Sequence, residues 1–130
     1  MKPLSILVVD DHPIMQEVVC QILEDVGHNV GCAGNGREAL RKLSCAHFDL
    51  LVTDIVMPEM DGIELIGEVG RRFPQTRIIA MSGGAERFPI KDVLSIARRA
   101  GAGAVLDKPF TPQQLLESVG EISRFNAYAV

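Results

Sequence analysis

The strongest constraint on this chain is an alternation. Short unbroken apolar runs, Ile6 to Val9, Leu50 to Val52, Ile78 to Met81 and Ala104 to Leu106, with a weaker one from Val30 to Ala33, are separated by longer segments of helical period. A strand with one wet face alternates apolar and polar residues. A continuous apolar run bounded by turn residues instead describes a strand covered on both faces, as in the middle of a parallel sheet. Helices supply the cover, so the pattern predicts an α/β fold of five βα repeats, a doubly wound five-stranded parallel sheet.

The segments between the runs carry helix signals. Ile14, Val18 and Ile22 recur at i, i+4 and i+8, with Met15, Val19, Leu23 and Val26 in the adjoining row. Together they predict one apolar stripe, ended by Gly27. Asn35-Gly36 precedes a second helix with Ala39, Leu40 and Leu43, and Asp61-Gly62 a third with Leu65, Ile66, Val69 and Phe73, stopped before Pro74. Pro89 opens a fourth through Val93, Leu94 and Ala97 to about Ala100-Gly101. Thr111 as N-cap and Pro112 at the first helical position begin a fifth, with Leu115, Val119 and Ile122. The repeats span about Ser5 to Arg124, leaving 125–130 as a short tail and the 130 residues as a single domain with no room for an effector.

Composition narrows the function classes. No apolar run approaches the roughly 18 to 20 residues that cross a bilayer, and Met1-Lys2-Pro3 leads to Asp10-Asp11 rather than to a cleavage site. Thirteen basic and seventeen acidic side chains give a net charge of -4, and the basic ones are scattered apart from Arg71-Arg72 and Arg98-Arg99. Direct nucleic-acid binding is therefore not expected. Cys20, Cys32 and Cys45 show no ligand spacing and suit reduced packing thiols in a cytoplasmic protein, and His12, His28 and His47 form no zinc-type pair.

Doubly wound sheets bind ligands beyond the carboxyl ends of their strands. Asp10 and Asp11 follow the first run, Asp54 the third, Ser82 the fourth and Lys108 the fifth. Singly, each reads as a turn, cap or surface residue. Jointly, three carboxylates in one crevice repel one another unless a cation offsets them, and an oxygen-rich cluster suits Mg²⁺. A carboxylate beside such an ion is a possible phosphoryl acceptor, for which Lys108 supplies charge and Ser82 a hydroxyl.

These residues stand in recognisable segments: Val8-Val9-Asp10-Asp11, Thr53-Asp54-Ile55-Val56-Met57-Pro58-Glu59-Met60-Asp61-Gly62, Ala80-Met81-Ser82-Gly83 and Leu106-Asp107-Lys108-Pro109-Phe110. In this order the chain resembles the receiver domain of two-component response regulators over nearly its whole length. The resemblance implies the flavodoxin-like strand order 2-1-3-4-5. It implies that Asp54 is the phosphoacceptor, served by a sensor histidine kinase or a histidine phosphotransfer protein. Asp10, Asp11, Asp54 and the backbone carbonyl of Val56 would hold Mg²⁺, while Ser82 and Lys108 would bind the phosphoryl group. It also implies a cis bond before Pro109, and Gly62 at the start of the third helix. The output would be read by a downstream protein near helices four and five, in some members through a phosphorylation-dependent dimer. The chain would modify itself rather than turn over an outside substrate, as a stand-alone regulator, a phosphorelay intermediate or a receiver from a longer chain.

Three positions depart from the pattern. Val105 replaces the aromatic residue that commonly switches rotamer on strand five. Val56 and Gly84 stand where other members carry side chains that modulate phosphoryl loss, which predicts slow autodephosphorylation. The loop from Gly83 to Pro89 reads as long and mobile. Two other classes fit less well: in an FMN-binding module Asp10-Asp11 would repel the phosphate, and a Mg²⁺-dependent phosphohydrolase usually needs a second acid that the adjacent Asp10 and Asp11 do not provide.

Overall fold

The computed structural model describes residues 2–57, 60–83 and 90–128, the side chains of 90–94 and 124–128 excepted. Its elements alternate as expected: β1 (Ser5–Val9), α1 (Pro13–Asp25), β2 (Asn29–Ala33), α2 (Gly36–Cys45), β3 (Leu50–Asp54), α3 (Gly62–Arg72), β4 (Arg77–Ser82), α4 (Ile90–Ala100), β5 (Ala104–Asp107) and α5 (Pro112–Tyr128). The strands form one parallel sheet in the order β2-β1-β3-β4-β5.

The continuous apolar runs are explained by how the sheet divides them. Leu7, Val9, Leu51, Ile78 and Ala80 point to a core closed by Ala39 and Leu43 of α2, Leu65, Ile66 and Val69 of α3, and Ala97 of α4. Their alternate neighbours Ile6, Val8, Leu50, Val52, Ile79 and Met81 point to a second core closed by Val19, Cys20 and Leu23 of α1 and Leu115, Val119 and Ile122 of α5. Every strand position in the centre is thus buried whichever way it faces. The run of β2 is weaker because β2 is an edge strand, only partly covered.

Helix ends follow the predicted chemistry. Asn35 Oδ1 and Asp61 Oδ1 accept from Glu38 N (2.9 Å) and Glu64 N (2.8 Å). Thr111 and Gln114 form a reciprocal capping box, at 3.1 Å from Gln114 N to Thr111 Oγ1 and 2.8 Å from Thr111 N to Gln114 Oε1. Gly27 and Gly101 end α1 and α4 at φ 97° and 129°, in the left-handed region.

Two expectations are corrected. The α1 stripe is wider than the surface that the sheet offers. Val19, Cys20 and Leu23 are buried, whereas Ile14 is 79% and Val18 47% exposed, so the row beginning at Ile14 starts on the outer flank of the helix and meets the core only at Ile22. Helix α5 runs to Tyr128, four residues past Arg124, since no glycine or proline stops it there. Pro58, Glu59, Gly84 and Pro89 lie outside the described residues, as does most of the loop expected to be mobile.

Candidate functional site

The register places the polar residues together. Val9 of β1 pairs with Thr53 of β3, so Asp10 and Asp54 emerge side by side at the carboxyl edge, and Asp54 in turn pairs with Met81, one residue before Ser82. Asp10, Asp54 and Ser82 are all buried. Lys108 follows β5, and its backbone N–H donates to the Ser82 carbonyl at 2.7 Å, fastening that loop to the end of β4. The Lys108–Pro109 bond is cis.

The Lys108 ammonium reaches across two strands to lie 3.3 Å from Asp54 Oδ2 and 3.5 Å from Asp10 Oδ2. The remaining oxygens take backbone donors: Asp54 Oδ1 accepts from Ile55 N (2.9 Å), and Asp10 Oδ1 from His12 N (2.9 Å). Even so, burial raises the Asp54 pKa above the ordinary carboxylate value. Asp10 adds to the rise, and Lys108 and the Ile55 N–H only partly oppose it. The ionised Asp54 is therefore a poorly stabilised anion.

Asp11 stands at the rim. Among the described residues, its Oδ1 is the one buried side-chain polar atom that takes part in no hydrogen bond. Donor atoms of Asp10, Asp11, His12 and Asp54 all lie within 4.8 Å of one another. Three converging carboxylates, one with a buried oxygen that no hydrogen bond claims, fit a hard divalent cation. Val56, the expected source of a carbonyl ligand, follows in the loop after β3 with its side chain half exposed.

The sequence singled out Asp10, Asp11, Asp54, Ser82 and Lys108, and the fold gathers all five at one end of the sheet. Two further residues belong to the site. Gln16, in the first turn of α1, donates through Nε2 to the carbonyls of Ala33 (2.9 Å) and Asp10 (3.2 Å), clamping the backbone of Asp10 to β2. Its position in the first turn after the acidic pair is the signal that was available. His12, read as a turn residue, is exposed, but its Nδ1 sits 3.4 Å from Asp10 Oδ1 and 3.3 Å from Asp11 Oδ1.

Gly62 has a stricter role than opening α3. A Cβ there would lie 2.1 Å from the Asp54 carbonyl oxygen and 2.6 Å from Ile55 Cα. The Gly62 N–H donates to the Ile55 carbonyl at 2.7 Å, folding the loop back on the acidic residue. Only glycine permits this approach.

A doubly wound parallel α/β fold with a buried acidic crevice, bridged by a lysine from the last strand, defines the class of protein. The model of the response regulator receiver domain matches residues 6–120, and the chain belongs to that family. It is 33% identical over 120 residues to the chemotaxis protein CheY of Thermotoga maritima, covering 92% of this chain and 97% of that one. It is also 36% identical to the DNA-binding transcriptional regulator NtrC of Azospirillum brasilense, over 92% of this chain but only 24% of that longer protein. Among solved structures, a CheY-like receiver domain protein from Methanospirillum hungatei superposes with a TM-score of 0.90 at 29% identity, covering 99% of this chain and 100% of that one. Among the described residues, no helix is long and apolar enough to cross a membrane.

Proposed function

We propose that the chain is a phosphorylation-operated signalling switch in which Asp54 accepts a phosphoryl group from a phosphohistidine on a sensor histidine kinase or a histidine phosphotransfer protein. The supporting observation is the convergence of Lys108 on Asp10 and Asp54 at the carboxyl ends of adjacent strands. An Asp54 oxygen attacks the phosphorus as the phosphorus–nitrogen bond to the histidine breaks, leaving an acyl phosphate on Asp54. A carboxylate held in a buried site above its ordinary pKa is poorly solvated, which favours attack by its anion. Lys108, placed between the carboxylates, shifts its charge to the incoming phosphoryl oxygens, and the Ser82 hydroxyl supplies a donor. Mg²⁺ held by Asp10, Asp11, Asp54 and the Val56 carbonyl would neutralise the carboxylates and the phosphoryl oxygens during transfer. Gln16 and Gly62 keep the two aspartates in register.

Phosphorylation adds roughly one and a half to two negative charges at Asp54. Ser82 ends β4 and Lys108 follows β5, the strands that precede α4 and α5 in the chain, and those helices form the face on which a downstream protein or a second phosphorylated copy would read the change. Val105 is partly buried on β5, and with no aromatic ring there the signal passes through the strand ends themselves. We read residues 1–130 as one receiver domain that is modified but turns over no outside substrate. It would serve as a stand-alone regulator, a phosphorelay intermediate or part of a longer chain.

Incubation with acetyl phosphate and Mg²⁺ followed by intact-mass measurement tests this reading. One phosphoryl adduct is expected on the wild type and none on Asp54→Ala. No adduct on the wild type, or an equal one on the variant, contradicts it. The adduct should decay slowly, and Val56→Asn combined with Gly84→Glu should speed that decay; an unchanged rate would show that these positions do not set the lifetime.

A further inference from the structure

A second reactive pair lies away from the acidic crevice. Cys20 projects from α1 and is buried, while Cys32 lies on the edge strand β2 and is partly buried. Their Sγ atoms are 2.6 Å apart, although the residues are 12 positions apart in sequence and on different elements. Both are free thiols. The contact is too close for a shared metal ion, since two thiolates on one tetrahedral zinc stand about 3.7 Å apart at Zn–S lengths of about 2.3 Å. It approaches instead the roughly 2.05 Å of a covalent sulfur–sulfur bond.

We propose that Cys20 and Cys32 are an oxidation site, converted by a peroxide-class oxidant into an intramolecular disulfide that staples α1 to β2. The two thiols differ in a way that orders the steps. Burial pushes the Cys20 thiol well above the usual thiol range, with Cys32 adding to the rise, so Cys20 stays protonated. Cys32, only partly buried on the edge strand, is the less enclosed of the two. Its thiolate attacks the peroxide, forming a sulfur–oxygen bond and breaking the oxygen–oxygen bond. The sulfur loses two electrons to give a sulfenic acid, and the departing oxygen leaves as water after protonation. Cys20 then attacks that sulfur, the sulfur–sulfur bond forms, the sulfur–oxygen bond breaks, and the hydroxide leaves with the Cys20 proton as a second water. Two thiols and one hydrogen peroxide thus give one disulfide and two waters.

The place of the staple gives it a consequence. Cys32 immediately precedes Ala33, whose carbonyl accepts from Asp10 N (3.2 Å) and Gln16 Nε2 (2.9 Å), and Gln16 lies one turn before Cys20 on α1. The bond would therefore lock the α1–β2 layer one helical turn from the Asp10 clamp. Because the folded reduced protein already holds the sulfurs together, oxidation restricts the unfolded chain with little cost in native geometry, and stability should rise. The proposal does not depend on phosphoryl chemistry and is read independently of it.

The test uses the full chain with Cys45→Ser, which removes the exposed thiol able to join two molecules. After peroxide treatment under native conditions and alkylation, the monomer should weigh about 2 Da less than the reduced chain. It should carry no alkyl group, yield a peptide pair joined through positions 20 and 32, and show a urea midpoint that rises on oxidation and returns on reduction. Cys32→Ser in the same background should show no oxidant-dependent midpoint. Cys20 and Cys32 both alkylatable after peroxide, stable sulfinic acid on Cys32 beside a free Cys20, or a bond formed only in denaturant would overturn the proposal.

Discussion

The two ends of the sheet treat polar groups in opposite ways. At the amino end, polar groups are matched in neutral or surface-screened pairs. Asp49 Oδ2 accepts from Ser5 N (2.8 Å), His28 Nδ1 from Leu4 N (3.0 Å), and Thr76 Oγ1 donates to the Phe48 carbonyl (2.8 Å). At the carboxyl end, two buried carboxylates share one ammonium, Asp54 is held above its ordinary pKa, and an Asp11 oxygen goes without a hydrogen bond. The same strands carry both ends. The difference teaches that unfavourable charge is concentrated where a cation and a phosphoryl group would meet, and that the far end holds the strands in place while it is tolerated.

The largest expected effect comes from forcing the carboxyl end to give way. Gly62→Ala drives a methyl group into the Asp54 carbonyl. It should destabilise the fold by about 3 kcal/mol or more in urea denaturation and weaken phosphoryl acceptance as well. Asp49→Ala at the amino end should cost about 1 to 2 kcal/mol through the abandoned Ser5 N–H. Phosphoryl acceptance should be unchanged, because none of its partners reaches the crevice. If both variants impaired acceptance equally at temperatures where each is folded, the two ends would not be functionally distinct.

Removing the charge from the crevice should do the reverse of a normal core mutation. Asp54→Asn should raise stability by about 1 kcal/mol, within the roughly 0.5 to 2 kcal/mol of a single stabilising substitution, while abolishing acceptance. A fall in stability would mean that the Lys108 contact outweighs burial and repulsion. The smallest effect concerns pH at the amino end. Burial holds the His28 pKa below its ordinary value of 6.5, so below that pH the unfolded chain binds a proton that the folded one refuses. The His28 contribution is therefore full above pH 6.5 and is lost as pH falls from there through the lower folded value. His28→Asn should flatten the decline in stability between about pH 7 and pH 5.5. An unchanged slope would point to another titrating group.

Much of this was legible in the chain, for identifiable reasons. The runs of the central strands β1, β3 and β4 were readable because burial on both faces leaves no polar interruption. β3 nevertheless extends two residues past its apolar run, because Thr53 and Asp54 are themselves buried and periodicity cannot include them. Strand order, and with it the meeting of Asp10 with Asp54, is not a property of periodicity and came through the resemblance to receiver domains. The inner face of α1 was blurred because its apolar arc is broader than its contact with the sheet. The Cys20–Cys32 contact and the Gln16 clamp were hidden for a different reason: each joins α1 to β2, and no spacing along the chain encodes which helical turn meets which strand position.

The central claim is that Asp54, and neither of its acidic neighbours, takes the phosphoryl group. Treating the phosphorylated protein with borohydride reduces an aspartyl phosphate to homoserine, and peptide mapping then reads the position directly. The account predicts homoserine at position 54 alone, lost when acetyl phosphate or Mg²⁺ is omitted. Homoserine at position 10 or 11, or none at all in a chain that carries the phosphoryl mass, would contradict it.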